Sequence, residues 1–267
     1  MLELIQNADD NTFKSDIPTI FITSDVTTKF SINYLRIDCN EVGFDKANVE
    51  ALCRIGASTK KKKERTKGYI GEKGIGFKSI FKVADTVRIS SIGYAFKFDR
   101  RGMLGMIVPI IEDFPPEHLK VGQTQMVLEI KGNAELKDIH IELEKLEPQI
   151  LIFLRKICKL VIYTPLLGKR QFDIRRINQD GDFDGKETAI LTRICSKASE
   201  NTHHRYIIVR RIETALEKND RRENVMETET VLAFQIDDKM RPVLHGQHTY
   251  AYLPIDDYGF NVSQSKS

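Results

Sequence analysis

The feature that most restricts this chain is a glycine run, Gly68-Tyr-Ile-Gly-Glu-Lys-Gly-Ile-Gly-Phe-Lys-Ser79, set between a charged stretch and a helical one. Glycines at 71, 74 and 76 leave the backbone free to approach a ligand where a Cβ would clash. Residues 77–84 read as a helix opening directly behind them. A helix N-terminus presents unpaired N–H groups and a partial positive charge, worth ~0.3–1 kcal/mol per anionic group at an exposed site. The run therefore fits phosphate binding, and taken alone it also fits a plain glycine-rich turn. Two better-known phosphate motifs are excluded. A Walker A loop carries Lys directly after its last glycine, whereas Phe77 separates Gly76 from Lys78. A dinucleotide fingerprint runs G-x-G-x-x-G after a first strand; here the order is G-x-x-G-x-G, and it follows a charged loop.

A second concentration of chemistry lies at the start. Residues 1–10 read as an amphipathic helix, and Glu3, Asn7 and Asp10, spaced i, i+4, i+7, fall on one face of it. Magnesium takes oxygen ligands and keeps water and phosphate in its shell, so the Asn7 carbonyl suits such an ion. Glu3, one turn away, is placed to orient or deprotonate a water. A solvated helix face shows the same spacing. The helix begins with no cap ahead of it, so an upstream segment is expected.

Between and after these motifs the pattern alternates strand and helix. Residues 19–24 and 30–38 have strand character, 45–55 a short helical pattern, and 86–92, 94–99 and 125–131 read as successive strands. Residues 136–159 are strongly helical in pattern with an interruption at Pro148, and 160–163 close as a strand. A first domain is expected over residues 1–164. Strand-like segments at 171–177, 188–194, 206–212, 230–236 and 249–253 predict a partial, β-rich or transducer-like second module over 165–267. Residues 262–267 show no terminating element.

The chain has 41 basic and 38 acidic residues, a net charge of +3, too near balance to point to nucleic acid or a membrane. Its four cysteines are scattered without a C-x-x-C pair, which argues against zinc and disulfides and for a reducing compartment. No apolar run reaches bilayer-spanning length and no signal peptide is visible, so a cytoplasmic or nuclear protein without a membrane segment is expected. His203-His204 reads as a surface pair, and Asp237-Asp238 and Asp256-Asp257 as turn residues.

Four elements in order carry a resemblance to a known family. Glu3-Leu-Ile-Gln-Asn-Ala-Asp-Asp10 resembles the N box of the GHKL (Bergerat-fold) ATPases, the class of gyrase B, heat-shock-ninety chaperones, histidine kinases and MutL. Leu35-Arg-Ile-Asp-Cys-Asn-Glu-Val-Gly-Phe44 sits where that family has its D-x-G-x-G turn. Gly71-Glu-Lys-Gly-Ile-Gly-Phe77 is similar to its lid-flanking glycine motif, and Gly122-Gln-Thr-Gln-Met-Val-Leu128 to its last motif. Asn40-Glu-Val-Gly-Phe44 and Ser58-Thr-Lys60 look most like the sacsin and NO VEIN-like group. The resemblance covers residues 1–164 well and the remainder weakly.

The resemblance implies a two-layer α/β (α+β) sandwich, with a mixed, mostly antiparallel sheet and helices on one face. Its cofactors would be ATP and Mg²⁺. Glu3 would be the general base, Asn7 the magnesium ligand and Asp10 a partner near the nucleotide. Gly43 and Phe44 would allow close approach of the adenine, and Thr124 would join the hydrogen bonding there. Gly71, Gly74, Ile75, Gly76 and Phe77 would meet the phosphates through main chain, and Ser58, Thr59 and Lys60 the sugar-phosphate side. The family's adenine-reading Asp aligns without gaps to Cys39; Asp38 takes its place only by a one-residue slip that reverses strand facing, and Asn40 offers an amide oxygen. The basic residues 60–67 fit a lid segment or a solvated loop. The implied activity is slow ATP hydrolysis coupled to lid and domain movement in a chaperone-like or regulatory protein acting on client proteins, with dimerisation in a longer chain. A catalytically inactive nucleotide-binding scaffold and a nucleic-acid-associated ATPase are the alternatives.

Overall fold

The structure is a computed structural model, and it describes residues 1–15, 17–27, 32–53, 77–116, 119–177, 186–197, 201–214, 228–243, 249–251, 253–256 and 263–266. It opens with helix α1 (Leu2–Asp9), strands β1 (Thr19–Thr27) and β2 (Ile32–Cys39), and helix α2 (Lys46–Cys53). A 3₁₀ turn (Phe77–Lys82) leads into β3 (Ala84–Ser91), β4 (Tyr94–Asp99), β5 (Ile110–Ile111) and β6 (Thr124–Ile130). Helices α3 (Asn133–Glu144) and α4 (Ile150–Phe153) precede β7 (Lys159–Thr164) and β8 (Gly168–Ile177). The chain continues through β9 (Lys186–Cys195), β10 (Thr202–Glu213), β11 (Thr228–Ile236), β12 (Thr249–Ala251), β13 (Leu253–Asp256) and β14 (Ser263–Lys266).

Among the described residues the strands form one sheet in the order β13-β12-β14-β11-β10-β9-β8-β7-β1-β2-β6-β3-β4-β5. Pairing is antiparallel throughout except for β1 with β7 and β12 with β14. This is an α+β fold with a large mixed sheet and few helices, as the resemblance implies. The sheet crosses the expected domain boundary without a break, because β7 and β8 pair from Lys159↔Asp173 to Thr164↔Gly168.

Period-two alternation decides which side of the sheet is covered. Ile20 and Ile22 of β1, Leu35, Ile37 and Cys39 of β2, Val87 and Ile89 of β3, and Phe96 and Phe98 of β4 are buried in one cluster with Leu4, Ile5 and Ala8 of α1 and Leu136, Ile139 and Leu143 of α3. Burying each large side chain contributes roughly 1.5–3 kcal/mol. α3 is fixed to this face by two polar contacts, Ser24 Oγ with His140 Nε2 at 2.8 Å and Asn33 Nδ2 donating to Asn133 Oδ1 at 2.8 Å. The opposite face carries charge pairs: Arg88 with Glu129 and with Glu112, and Lys97 with Glu112.

Three elements differ from expectation. The helix expected over 77–84 is a six-residue 3₁₀ turn; Phe77, Phe81 and Phe98 pack edge to face at centroid distances of 5.9–6.4 Å, and sheet pairing takes over from Ala84. The helical pattern over 136–159 becomes α3 and a single turn, α4. Pro148 breaks the first helix, and the chain after Leu154 is drawn out because its N–H groups bond to a side chain rather than along a helix. The last segment, where the sequence shows no terminating element, pairs as β14 with β11; Ser-Gln-Ser-Lys has no hydrophobic alternation to mark it as a strand.

Arginines from the later strands satisfy the orphan carbonyls of the earlier helices. Arg170 of β8, nearly fully buried, donates through Nη2 to Leu143 O at 2.5 Å and through Nη1 to Glu144 O at 3.3 Å, closing the end of α3. Arg176 donates to Leu151 O and Leu154 O at 3.0 and 2.8 Å, and Arg210 of β10 to Ile152 O at 3.2 Å, so both hold α4. Glu187 Oε1 pairs with both guanidiniums, at 3.1 and 3.2 Å. Arg170→Ala should lower stability by roughly 1–3 kcal/mol, because it takes the guanidinium from Glu144 O and leaves Leu143 O with the Leu146 N–H alone. A urea midpoint unchanged from the wild type would show that these caps contribute nothing.

Candidate functional site

α1 is positioned by its own last residue. Leu4, Ile5 and Ala8 face the core at helical spacing, and Asp9 points from the helix end into the protein with 1% exposure. Its carboxylate accepts the main-chain N–H groups of Arg155 at 2.8 Å, Lys156 at 2.9 Å and Ile157 at 2.8 Å. Lys156 Nζ reaches back to Asp10 O at 3.2 Å and Asn11 O at 2.5 Å. The face named from sequence is thereby set: Glu3 is exposed, Asn7 half-buried and Asp10 buried. Asp9, the residue that fixes that face, is passed over by the i, i+4, i+7 spacing that groups Glu3, Asn7 and Asp10, and nothing else in the sequence marks it.

The turn after β2 is built on a close approach. Gly43 has φ +94°, and a Cβ there would come within 2.6 Å of Ile92 Cγ1 and Cδ1. Only glycine meets both conditions without strain. The next residue, Phe44, donates its N–H to Ser91 Oγ at 2.8 Å, and Ser91 Oγ lies 2.6 Å from Thr124 Oγ1. One serine thus joins the turn after β2 to the first residue of β6. Asp45 and Asn48 cap α2 reciprocally, each side-chain oxygen accepting the other's N–H at 2.8–2.9 Å. Ser91 was missed from sequence because it lies in no motif.

Strand register divides the residues proposed to read the base. Cys39 pairs with Thr124, and Asp38 with Gln125. Directly opposed residues share a face, so Cys39 and Thr124 lie on the helix-covered side and Asp38 on the other. Asp38, expected at the nucleotide, instead accepts from Arg36 Nε at 2.7 Å, Lys120 Nζ at 2.7 Å and Gln125 Nε2 at 3.0 Å. The Asn40 amide is engaged as well: Oδ1 accepts the Thr19 N–H at 2.7 Å and Nδ2 donates to Ile17 O at 3.0 Å. Burial, then the charge of Glu41, pushes the Cys39 thiol up to about 12, so it stays protonated.

Phe77 is in the aromatic cluster with Phe81 and Phe98, its ring half-buried. Lys78 is drawn inward: its ammonium donates to Met106 O and sits 4.5 Å from the Phe98 centroid, and burial lowers its affinity for the proton. Ser58, Thr59, Lys60, Gly71, Gly74, Ile75 and Gly76 lie outside the described residues. Among those described, no group of three or more His, Cys, Asp or Glu side chains is arranged to hold a metal, and no helix is long and apolar enough to cross a membrane.

The chain is similar in sequence to a plant protein. Protein NO VEIN of Arabidopsis thaliana is 30% identical over 285 aligned positions, covering 97% of this chain. The likeness runs almost end to end. The chain spans only 10% of that relative's length. No protein-family profile matches. Among solved structures, the B-subunit of the DNA gyrase from Myxococcus xanthus is similar with a TM-score of 0.39 and 8% identity, over 73% of this chain and 60% of that one.

Two substitutions test the local geometry. Asp9→Ala should destabilise by roughly 2–4 kcal/mol, since three N–H groups, that of Ile157 fully buried, lose a charged acceptor, and Asp9→Asn should recover part of that. Equal denaturation midpoints for wild type and Asp9→Ala would overturn the assignment. Gly43→Ala should lose about 1–3 kcal/mol through φ strain and the Ile92 contact. Adding Ile92→Gly should restore the contact share; a double variant no more stable than Gly43→Ala would rule that contact out.

Proposed function

We propose that this chain holds a GHKL-type nucleotide-binding domain that takes Mg-ATP against the helix-covered end of β2, β6 and β3, beside α1. The observation that carries the reading is the hydrogen-bond chain from Phe44 N–H through Ser91 to Thr124. It draws together two of the four resembling segments, at a turn where the Gly43 backbone has φ +94° and lies close against Ile92. α1 packs in the same core cluster as Cys39 of that strand. The similarity to NO VEIN, a relative carrying the name of the group the motifs resemble, supports the same reading.

In this reading Asn7 ligates magnesium through its amide oxygen. A single protein oxygen suits an ion that completes its shell with phosphate and water. Glu3, exposed on the same helix face, takes the proton of the attacking water, and the glycine run meets the phosphates. The second half of the sheet, held to α3 and α4 by Arg170, Arg176 and Arg210, passes nucleotide-dependent movement to partner proteins in an intracellular setting. Binding without turnover is the competing function, and the Glu3 variant separates the two.

Titration calorimetry with ATP and ADP, with and without magnesium, tests binding directly. Asn7→Ala should weaken magnesium-dependent ATP binding about tenfold or more. Glu3→Gln should leave binding within about twofold and lower turnover ~10²–10⁴-fold, the share typical of a positioned base. Unchanged affinity in Asn7→Ala would sink the metal assignment; wild type that binds ATP with no turnover would establish the scaffold function instead.

A further inference from the structure

The end of the sheet where β2, β6 and β3 meet is lined by neutral groups that can each donate or accept a hydrogen bond. Cys39, Thr124 and Ser91 lie there with exposures of 5%, 4% and 0%. Ser91 Oγ already accepts the Phe44 N–H, so its own proton can go to Thr124, or it can accept a second bond from Thr124. In the first arrangement the Thr124 hydroxyl has a proton to give; in the second it has lone pairs to offer. The Cys39 thiol, kept protonated by burial against Glu41, has the same two-way character in weaker form. The carboxylate of β2 is on the other face, held by two cations and an amide.

A carboxylate only accepts, and its charge makes the bond about twice as strong as a neutral one. Placed at a purine's 6-position, it would favour an amino group and repel a carbonyl oxygen. A thiol and a hydroxyl meet either substituent by turning a proton. Building on the proposed nucleotide site, we infer that Cys39 and Thr124 set the base specificity, and that the site takes adenine and guanine nucleotides alike. The device is the register of β2: moving it by one residue would exchange thiol for carboxylate.

Calorimetry of the wild-type chain with Mg-ATP and Mg-GTP is the test. The two dissociation constants should agree within about threefold, and Cys39→Ser, which keeps a neutral two-way group, should leave the ratio unchanged. Cys39→Asp should shift the preference toward ATP by about tenfold or more, because a charged acceptor bonds the amino group and faces the carbonyl oxygen without a donor. Melting curves establish whether Cys39→Asp folds; where it does not, the wild-type and Cys39→Ser ratios decide. A wild-type preference for ATP of tenfold or more overturns the inference and leaves the nucleotide site standing. Binding of neither nucleotide overturns both.

Discussion

Asp9 takes the N–H groups of three successive residues at the entry to β7, and the placement of α1 follows from that contact. A buried carboxylate is stable only when its charge is answered, and three main-chain donors at 2.8–2.9 Å answer this one. The same bonds stop α4 after one turn, because a residue whose N–H points at Asp9 has no N–H for a helix. They bring the chain to Pro18, whose carbonyl accepts from Cys158 and Lys159, at the point where β7 begins its parallel pairing with β1. The turn of α1 about its axis is set by apolar packing on one side and by Asp9 at the end. What remains for solvent is the face bearing Glu3 and Asn7.

The joint between the two halves of the sheet uses the opposite charge. Helix C-termini leave carbonyls unpaired, and a guanidinium has five donors in a plane, enough to serve two carbonyls and a carboxylate together. Arg176 does this with Leu151, Leu154 and Glu187, and Glu187, shared with Arg210, offsets part of the cost of burying two guanidiniums side by side. A lysine would supply a point charge without that spread. Helices from the first 164 residues and strands from the remainder are therefore bound through polar contacts that fail if either side moves away. The boundary marked by Thr164-Pro165 in the sequence is a tight turn between paired strands.

Much of the fold is legible in the sequence because it rests on periodicity. β4 was expected over residues 94–99 and occupies Tyr94–Asp99; β6 and β7 differ from expectation by about a residue at each end. Where the outcome depends on contacts distant in sequence, the pattern is silent. The pairing of Ala84 with Ile130 ends a segment that its own residues would carry on as helix, and Phe77 packs on Phe98 of the next strand. The apolar stretch from Ile150 to Leu154 is buried on all sides, so it has no polar face to mark where helix gives way. At the site, Gly43, Phe44 and Thr124 were visible as motif residues. Ser91, which connects them, is an ordinary strand serine until register places it opposite Thr124.

β2 carries the sharpest lesson about the site. Its two faces hold different chemistry: Arg36 and Asp38 on one, Leu35, Ile37 and Cys39 on the other. Either Asp38 or Cys39 fits a sequence alignment that allows one slip, and the two choices predict opposite base-reading chemistry. Pairing decides, because six consecutive partners from Tyr34↔Glu129 to Cys39↔Thr124 must shift together for the slip to occur. Such a shift would bury Arg36 against α1 and α3 and turn Leu35 and Ile37 outward. The apolar side of the strand thus fixes the polar one: Asp38 is excluded from the covered face because Ile37 and Leu35 belong there.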